Sequence, residues 1–278
     1  VIDFEFETSE EKAAFEMRDR ISATAQKVNY GNDLSELRVT TIHGLCNHFI
    51  SQHRHHTQLG SSYETLDELM QLLFIFEHFD EVIGSADEGR FLGRWKTKWT
   101  AIKSAQGYFD KITEELVDVN TLSASGSPFL KAISGAYRTY ETALYANNRL
   151  DFAHLQSIVY SLLKDEERRK TLTSDIRYVL VDEYQDTNTV QEQVLLKLSA
   201  NSGNLCVVGD EDQSLYRFRG ATVRNILEFQ NRFQTCPVVR LTTNYRSQRS
   251  IIERFDGWMA SIDWTNPRGT PFRFEKTI

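Results

Sequence analysis

Leu180-Val181-Asp182-Glu183-Tyr184-Gln185-Asp186-Thr187-Asn188 decides how this 278-residue chain is read. An apolar run opening at Tyr178 ends there on two adjacent carboxylates. A short apolar run of this kind is the signature of a buried strand in a parallel sheet, and such sheets place ligands at the carboxyl ends of their strands. One carboxylate at that place can hold Mg²⁺, usually through water, because a hard cation wants oxygen ligands. The next can polarise a water aimed at a γ-phosphate. An isolated Asp-Glu pair would do no more than cap the following helix, and it is the whole nonamer that favours the chemical reading. Thr189–Ala200 follows with Val190, Val194, Leu195 and Leu198 on one helical face, and Asp186 or Thr187 is placed to cap it.

Working outward, β-branched apolar runs recur at Arg38–Thr41, Leu205–Val208 and Val238–Leu241. Helix-length segments separate the later ones, which is the pattern of βαβ units. The strand ends then hold Thr41, Asp182-Glu183, Gly209-Asp210 and Asn244-Tyr245-Arg246. Between about 64 and 150 no strand signal stands out. Glu64–Phe79 and Gly135–Asn148 have helical spacing, and Ser123–Pro128 reads as a loop. The expected fold is therefore an α/β parallel sheet with an inserted all-helical subdomain.

Two further stretches carry chemistry. Val207 to Ala221 reads VVGDEDQSLYRFRGA. Gln213 is a neutral donor and acceptor suited to sensing a phosphate, and Tyr216 and Phe218 lie among Arg217 and Arg219. Aromatic rings interleaved with guanidinium groups can stack single-stranded bases, although aromatics alone are more often core. Leu241 to Ser247 reads LTTNYRS, and Arg246 could stabilise charge on a transferring phosphate.

Composition narrows the class. Three cysteines with no C-x-x-C pair fit a reducing, cytoplasmic chain. The longest apolar run, Leu72–Phe76, is far short of the ~20 residues that span a bilayer, so no membrane partner is expected. The first ten residues carry four acids and no base, unlike a signal peptide. Net charge is −7, so any nucleic-acid site must be a local patch.

Asp182–Asn188, Gly209–Ala221 and Asn244–Ser247 together resemble motifs II, III and IV of the UvrD/Rep/PcrA-like superfamily 1 DNA helicases, in the family's order and spacing. Thr41-Ile42-His43-Gly44 resembles its TFHS element, Leu150-Asp151-Phe152 its LDFDDL element, and Thr8 to Arg20 its motif Ia. The resemblance implies a RecA-like domain 1A (1–77 and 149–278) interrupted by a helical subdomain 1B (78–148). It implies ATP and Mg²⁺ as cofactors, with single-stranded and duplex DNA and a domain 2A of the same parent chain as partners. Asp182 would bind Mg²⁺, Glu183 would activate the attacking water, Gln213 and Arg246 would meet the γ-phosphate, and Tyr245 would lie against adenine. Thr41, His43, Tyr216, Phe218 and Arg219 would belong to the DNA track or its coupling to ATP. The implied activity is ATP-driven translocation on single-stranded DNA, 3′→5′, with unwinding of duplex.

Some positions depart from the family pattern. No G-x-x-x-x-G-K-[ST] occurs, and Gly93-Arg94-Trp95-Lys96-Thr97 only ends like one. Val1 stands in what reads as a strand, so the sequence is expected to be an excerpt, inactive by itself, with its phosphate loop upstream and motifs V and VI downstream. Ser9 and Glu10 replace the usual Phe and Thr of motif Ia, Ile42 replaces an aromatic, and Phe218 replaces a Trp. Rival readings are the motor of a RecB/AddA-type helicase–nuclease and an ATPase-dead DNA-binding scaffold.

Arg90 to Lys111 holds six bases against Asp110, interleaved with Phe91, Trp95, Trp99 and Tyr108. It is a candidate nucleic-acid surface, or else a solvated helix face with core aromatics. His48, His53, His55 and His56 lack the companion ligands of a metal set and read as a surface run. If Arg94, Lys96 and Lys98 touch DNA phosphates, replacing all three by Ala weakens binding to every DNA sequence and flattens its salt dependence by up to about three units of slope. A salt titration of binding checks this, and an unchanged slope leaves the stretch a solvated face.

Overall fold

The computed structural model describes residues 9–31, 34–60, 62–84, 97–213, 224–265 and 273. The chain divides into two compact units, Val1–Arg169 and Lys170–Ile278.

The first unit is mostly helical. It contains α1 (Ser9–Lys27), α2 (Ile42–His53), β1 (Glu64–Leu66), α3 (Glu68–Glu77), α4 (Phe79–Val82) and α5 (Lys98–Glu114). Then follow α6 (Val119–Ala124), α7 (Pro128–Ala146), β2 (Arg149–Asp151) and α8 (Phe152–Lys164). Helix starts are set locally. Asp67, Thr97, Asp118, Ser127 and Asp151 each offer a side-chain oxygen to an N–H of the first turn. Each such cap contributes about 1 kcal/mol. The core of the bundle comes from Leu72, Phe74 and Ile75 of α3, Ala101, Ile102, Ala105 and Phe109 of α5, and Ile133, Ala136, Tyr140 and Leu144 of α7. Phe109 stacks on Tyr140 with centroids 4.8 Å apart. α8 packs on α2. Within α2, burial pushes the Cys46 thiol up to about 12.

β1 and β2 pair in parallel, Glu64 opposite Arg149 and Leu66 opposite Asp151. β1 lies inside Glu64–Phe79, expected to be helical, and β2 follows directly on Gly135–Asn148, the other stretch of helical spacing. Three residues each are too few to show a period of two, and the pairing is closed by distant partners such as the Arg149 Nε–Glu64 Oε2 ion pair at 3.1 Å.

At the end of β2 a polar network runs through the bundle. Asp151 is buried, and its Oδ1 accepts from His154 N at 2.7 Å while Oδ2 accepts from Tyr140 OH at 2.6 Å. The His154 ring nitrogen Nδ1 lies 2.9 Å from both carboxylate oxygens. Gln71 Nε2 donates to Asp151 Oδ2 at 3.2 Å and to Asp110 Oδ1 at 2.8 Å. Gln106 Nε2 donates to Gln71 Oε1 at 2.8 Å, so α3, α5, α7 and α8 all bear on one carboxylate. The pairing with His154 and Tyr140 outweighs burial and holds Asp151 below the usual carboxylate range, while Asp151 raises His154. Among the described residues Asp110 forms no ion pair. Burial first, and then the Asp151 charge, push its carboxyl up to about 8.

The second unit contains β3 (Val179–Val181), α10 (Thr189–Ser199), β4 (Leu205–Val207), α11 (Arg224–Arg232) and α12 (Arg249–Ala260). The helix α9 (Glu166–Leu172) runs through the division between the units. β3 and β4 pair in parallel, Val179 opposite Leu205 and Val181 opposite Val207, with α10 between them in sequence. Among the described residues the structure is thus mostly helical with two small parallel sheets. Arg38–Thr41 and Val238–Leu241, expected as strands, pair with nothing among the described residues, and Val239 and Leu241 are more than four-fifths exposed. β-branched composition expresses fit to a pleated, half-buried surface, and without a hydrogen-bonded neighbour it makes no strand.

The Asp110 carboxyl gives a pH dependence with a definite sign. Its native pKa lies above the ordinary 3.8, so the folded state binds the extra proton and this contribution to stability is lost as pH rises between about 4 and about 8. His154, also raised, acts in the same direction, whereas Asp151 acts only on the acid side. Asp110→Asn removes the first effect. The variant is expected to lose less stability than the wild type between pH 6 and 8, the difference being of the order of 1 kcal/mol per pH unit. Denaturant unfolding at pH 6, 7 and 8 checks it, and parallel pH curves for the two proteins would refute it.

Candidate functional site

The site is built where β3 and β4 end. Because the strands are parallel, Asp182-Glu183 and Val208-Gly209-Asp210 emerge at the same edge. Beyond the last ladder pair, Val208 N donates to Val181 O at 2.8 Å and Tyr184 N donates to Val208 O at 2.9 Å. Between those bonds the chain must turn sharply, and Glu183 does so with φ 51°, in the left-handed region. A non-glycine residue there costs roughly 1–2 kcal/mol, so the surroundings must impose it.

The turn is anchored from below. Tyr184 is fully buried, with its OH donating to Glu192 Oε1 at 3.0 Å and its ring edge-on to Phe229 at 5.5 Å. Burial, and then the Glu192 charge, hold the phenol well above its ordinary value. Arg232 NH1 of α11 reaches Glu192 Oε2 at 2.5 Å, so the buried Glu192 carboxylate is both paired and hydrogen-bonded. Asn225 Nδ2, also from α11, donates to Thr187 O and Thr187 Oγ1, each at 3.2 Å. Asn188 caps α10, not Asp186 or Thr187 as the sequence leads one to expect. Its Oδ1 accepts from Gln191 N at 3.0 Å and its own N–H donates to Gln191 Oε1 at 3.1 Å, a reciprocal capping box. Thr187 Oγ1 instead donates back to Tyr184 O at 2.7 Å.

On this base the polar side chains face outward. Asp182 and Glu183 are exposed, and Asp182 Oδ1 accepts from Glu183 N at 3.0 Å. Gln185 is fully buried; its Nε2 donates to Glu183 Oε2 at 2.7 Å and its Oε1 accepts from Asp210 N at 3.0 Å. Asp210 Oδ2 in turn accepts from Gln213 Nε2 at 2.9 Å. Asp182, Glu183 and Gln213 therefore belong to one hydrogen-bonded assembly. Asp186 Oδ1 is enclosed without a hydrogen-bond partner among the described residues, and burial followed by the Glu183 charge raises its carboxyl.

The other sequence-derived residues are placed apart from this assembly. Tyr245 is 94% exposed and Arg246 is exposed, on a turn where Asn244 Oδ1 accepts from Arg246 N and Ser247 N. Neither side chain makes a hydrogen bond, ion pair or ring contact among the described residues. Thr41 and His43 belong to the other unit. Thr41 caps α2, accepting from Gly44 N at 3.0 Å. His43 lies against Phe152 with centroids 4.7 Å apart, which joins the Thr41-Ile42-His43-Gly44 and Leu150-Asp151-Phe152 elements. Tyr216, Phe218 and Arg219 lie outside the described residues, as do Arg94 and Lys96.

For a hard cation, the exposed Asp182 carboxylate is a fitting donor, with Oδ2 unpartnered among the described residues. The one converging acidic trio among the described residues is Asp210, Glu211 and Asp212, with ligand atoms within 4.8 Å of one another. Arg273 already neutralises Asp212 there through two bonds of 2.8 Å. The four histidines between 48 and 56 do not converge into such a group. Sequence reasoning missed Gln185, Asn225 and the Arg232–Glu192 pair. The available signal was an uncharged amide set inside an acidic strand end, where only a structural partner explains it.

The profile of the UvrD/REP helicase N-terminal domain matches residues 7–234. The chain belongs to that family of DNA helicases. It is 30% identical over 243 residues to the ATP-dependent DNA helicase PcrA of Bacillus subtilis (strain 168), covering 87% of this chain and 31% of that protein. It is 29% identical over 267 residues to DNA helicase II of Escherichia coli (strain K12), covering 92% and 34%. With the ATP-dependent DNA helicase Rep of the same strain it shares 30% identity over 247 residues, 87% and 34%. The chain spans about a third of the length of these curated relatives.

Gly209 is where the packing of this site is most exacting. A Cβ built there would lie 2.6 Å from Gln185 Oε1, 2.7 Å from Ile226 Cδ1 and 3.3 Å from Tyr184 N. The last of these is backbone and cannot swing away. Gly209→Ala is expected to destabilise the protein by about 1–3 kcal/mol, the ordinary penalty for overpacking. Denaturant unfolding checks it, and wild-type stability would show that the β4 turn gives way freely.

Proposed function

We propose that the chain is the nucleotide-binding part of an ATP-dependent DNA helicase that translocates 3′→5′ on single-stranded DNA and unwinds duplex. The observation that supports it is the assembly at the ends of β3 and β4. Two exposed carboxylates, Asp182 and Glu183, are tied to Gln213 through Gln185 and Asp210, within the stretches that resemble the family's motifs. In this reading residues 1–77 and 149–278 form the RecA-like domain 1A, and 78–148 the inserted helical subdomain 1B.

Asp182 would hold Mg²⁺, which when bound would neutralise phosphate charge. Glu183 accepts a proton from the water that attacks the γ-phosphate, and its exposure leaves room for that water. Gln213 Nε2 is held by Asp210, where it can donate instead to a γ-phosphate oxygen. Arg246 supplies positive charge to the same phosphate, and Tyr245 offers its exposed ring to adenine. Both come to the nucleotide from a turn that is free to be filled. Thr41, His43, Tyr216, Phe218 and Arg219 contact DNA or couple it to the nucleotide, and domain 2A of the parent chain closes the cleft.

The test is single-stranded-DNA-stimulated ATP hydrolysis by the longest natural product of this gene and by its Glu183→Gln variant. Turnover that the variant loses by roughly a hundredfold or more is the expected result, since the variant keeps the shape of the side chain and loses its basicity. Wild-type turnover in the variant would remove Glu183 from the chemistry, and no turnover in either would favour a scaffold. The 278-residue chain assayed alone is expected to show none, because it contains no G-x-x-x-x-G-K-[ST] to cradle phosphates.

A further inference from the structure

We propose that Gln185 is a positioning residue. Its buried amide grips the Glu183 carboxylate and locks it to the β4 turn, so that Gln213 and Glu183 move as one piece. The proposal rests on the reading above that Glu183 activates the attacking water.

The orientation of the amide is fixed by its neighbours. Asp210 N–H can only donate, so the atom facing it at 3.0 Å is Oε1. That turns Nε2 toward Glu183 Oε2 at 2.7 Å, an acceptor. Both ends of one amide are thereby used, and it bridges Glu183 to Asp210, which lies 25 positions beyond Gln185. The amide is fully buried, and so cannot exchange these partners for water. Glu183 itself has three side-chain torsions and an exposed position, and nothing else among the described residues holds its carboxylate. An unheld glutamate samples many rotamers, and a water-activating group must stay within a fraction of an ångström of its productive place.

The bridge continues on the β4 side. Asp210 Oδ1 accepts from Asp212 N at 3.0 Å, which folds the turn, and Asp210 Oδ2 accepts from Gln213 Nε2 at 2.9 Å. A phosphate that draws Gln213 away from Asp210 therefore disturbs the segment whose backbone is hydrogen-bonded to Gln185. Gly209 points the same way independently. The amide oxygen occupies the space where any side chain at 209 would begin, 2.6 Å from a Cβ. The β4 turn is thus shaped around the Gln185 amide.

Two substitutions separate its arms. Gln185→Glu keeps an acceptor for Asp210 N–H but replaces the donor toward Glu183 with a second carboxylate. Gln185→Met keeps the volume and loses both bonds. In the longest natural product of the gene, both are expected to lower the DNA-stimulated kcat by about ten- to a hundredfold. KM for ATP should stay within about twofold, because the residue acts through Glu183 and not on ATP. In a Glu183→Gln background Gln185→Glu should not reduce the residual turnover further, since the group it acts through is already gone. Amide hydrogen exchange at Asp210 should stay protected in Gln185→Glu and quicken in Gln185→Met, which separates the grip on Glu183 from the integrity of the fold. Wild-type kcat in Gln185→Glu, or a loss in that variant that multiplies in the Glu183→Gln background, would overturn the positioning role and leave the proposed function standing. Wild-type turnover in Glu183→Gln would overturn both.

Discussion

Everything at the candidate site depends on how two very short strands are kept in step. β3 and β4 have three residues each, too little ladder to fix a register unaided. What continues it is the pair of backbone bonds from Val208 N to Val181 O and from Tyr184 N to Val208 O. These carry the pairing past the strand ends and into the turn that presents Asp182 and Glu183. The left-handed backbone of Glu183 follows, because Tyr184 must bring its N–H to Val208 while sinking its ring beside Phe229. The interactions that enforce the turn lie beneath it, in Tyr184, Glu192, Arg232 and Asn225, and the chemical groups lie above. The exposed carboxylates are therefore placed by a buried polar base.

The first unit solves a similar problem with different means. Its apolar bundle would tolerate small rotations of one helix on another, since hydrophobic contacts have no direction. Asp151 removes that freedom. It caps α8, pairs with His154 and receives the Tyr140 hydroxyl of α7, while Gln71 of α3 links it to Asp110 of α5. The arrangement gathers more negative charge than positive, and Asp110 bears the consequence by keeping its proton to about pH 8. Directional specificity in the bundle is obtained at the cost of one perturbed carboxyl.

What the sequence made legible was local. Strand, carboxylates, turn and helix from Tyr178 to Ala200 follow one another within a few residues, and the structure keeps that order. The capping residue was misplaced because Asp186, Thr187 and Asn188 are all competent caps. The choice among them is made by Gln191, which completes the box only with Asn188, and by Asn225, which engages Thr187. Strand propensity at Arg38–Thr41 and Val238–Leu241 named residues that suit a sheet without supplying the neighbouring strand. Conversely, β1 and β2 were invisible because pairing between Glu64 and Arg149 is a property of the folded chain alone. The same holds for Gln185. Its place inside the motif was plain, but its work depends on Asp210, which no reading of the nonamer contains.

Thr41 shows how far fold and proposed function are interleaved. The resemblance to the family's helicases assigns it to the DNA track, while its hydroxyl oxygen already accepts from Gly44 N and starts α2. A hydroxyl has two acceptor lone pairs and one hydrogen to donate, so capping leaves the hydrogen available for a phosphate oxygen. The cap and the proposed contact are compatible, and the turn that follows the cap is tightly fitted. A Cβ at Gly44 would lie 2.5 Å from Thr40 Oγ1 and 3.3 Å from Thr41 Oγ1. Glycine at that place lets the hydroxyl approach the backbone, as Gly209 does for the Gln185 amide. In both units a side-chain oxygen presses against a glycine, the Thr40 hydroxyl on Gly44 and the Gln185 amide on Gly209.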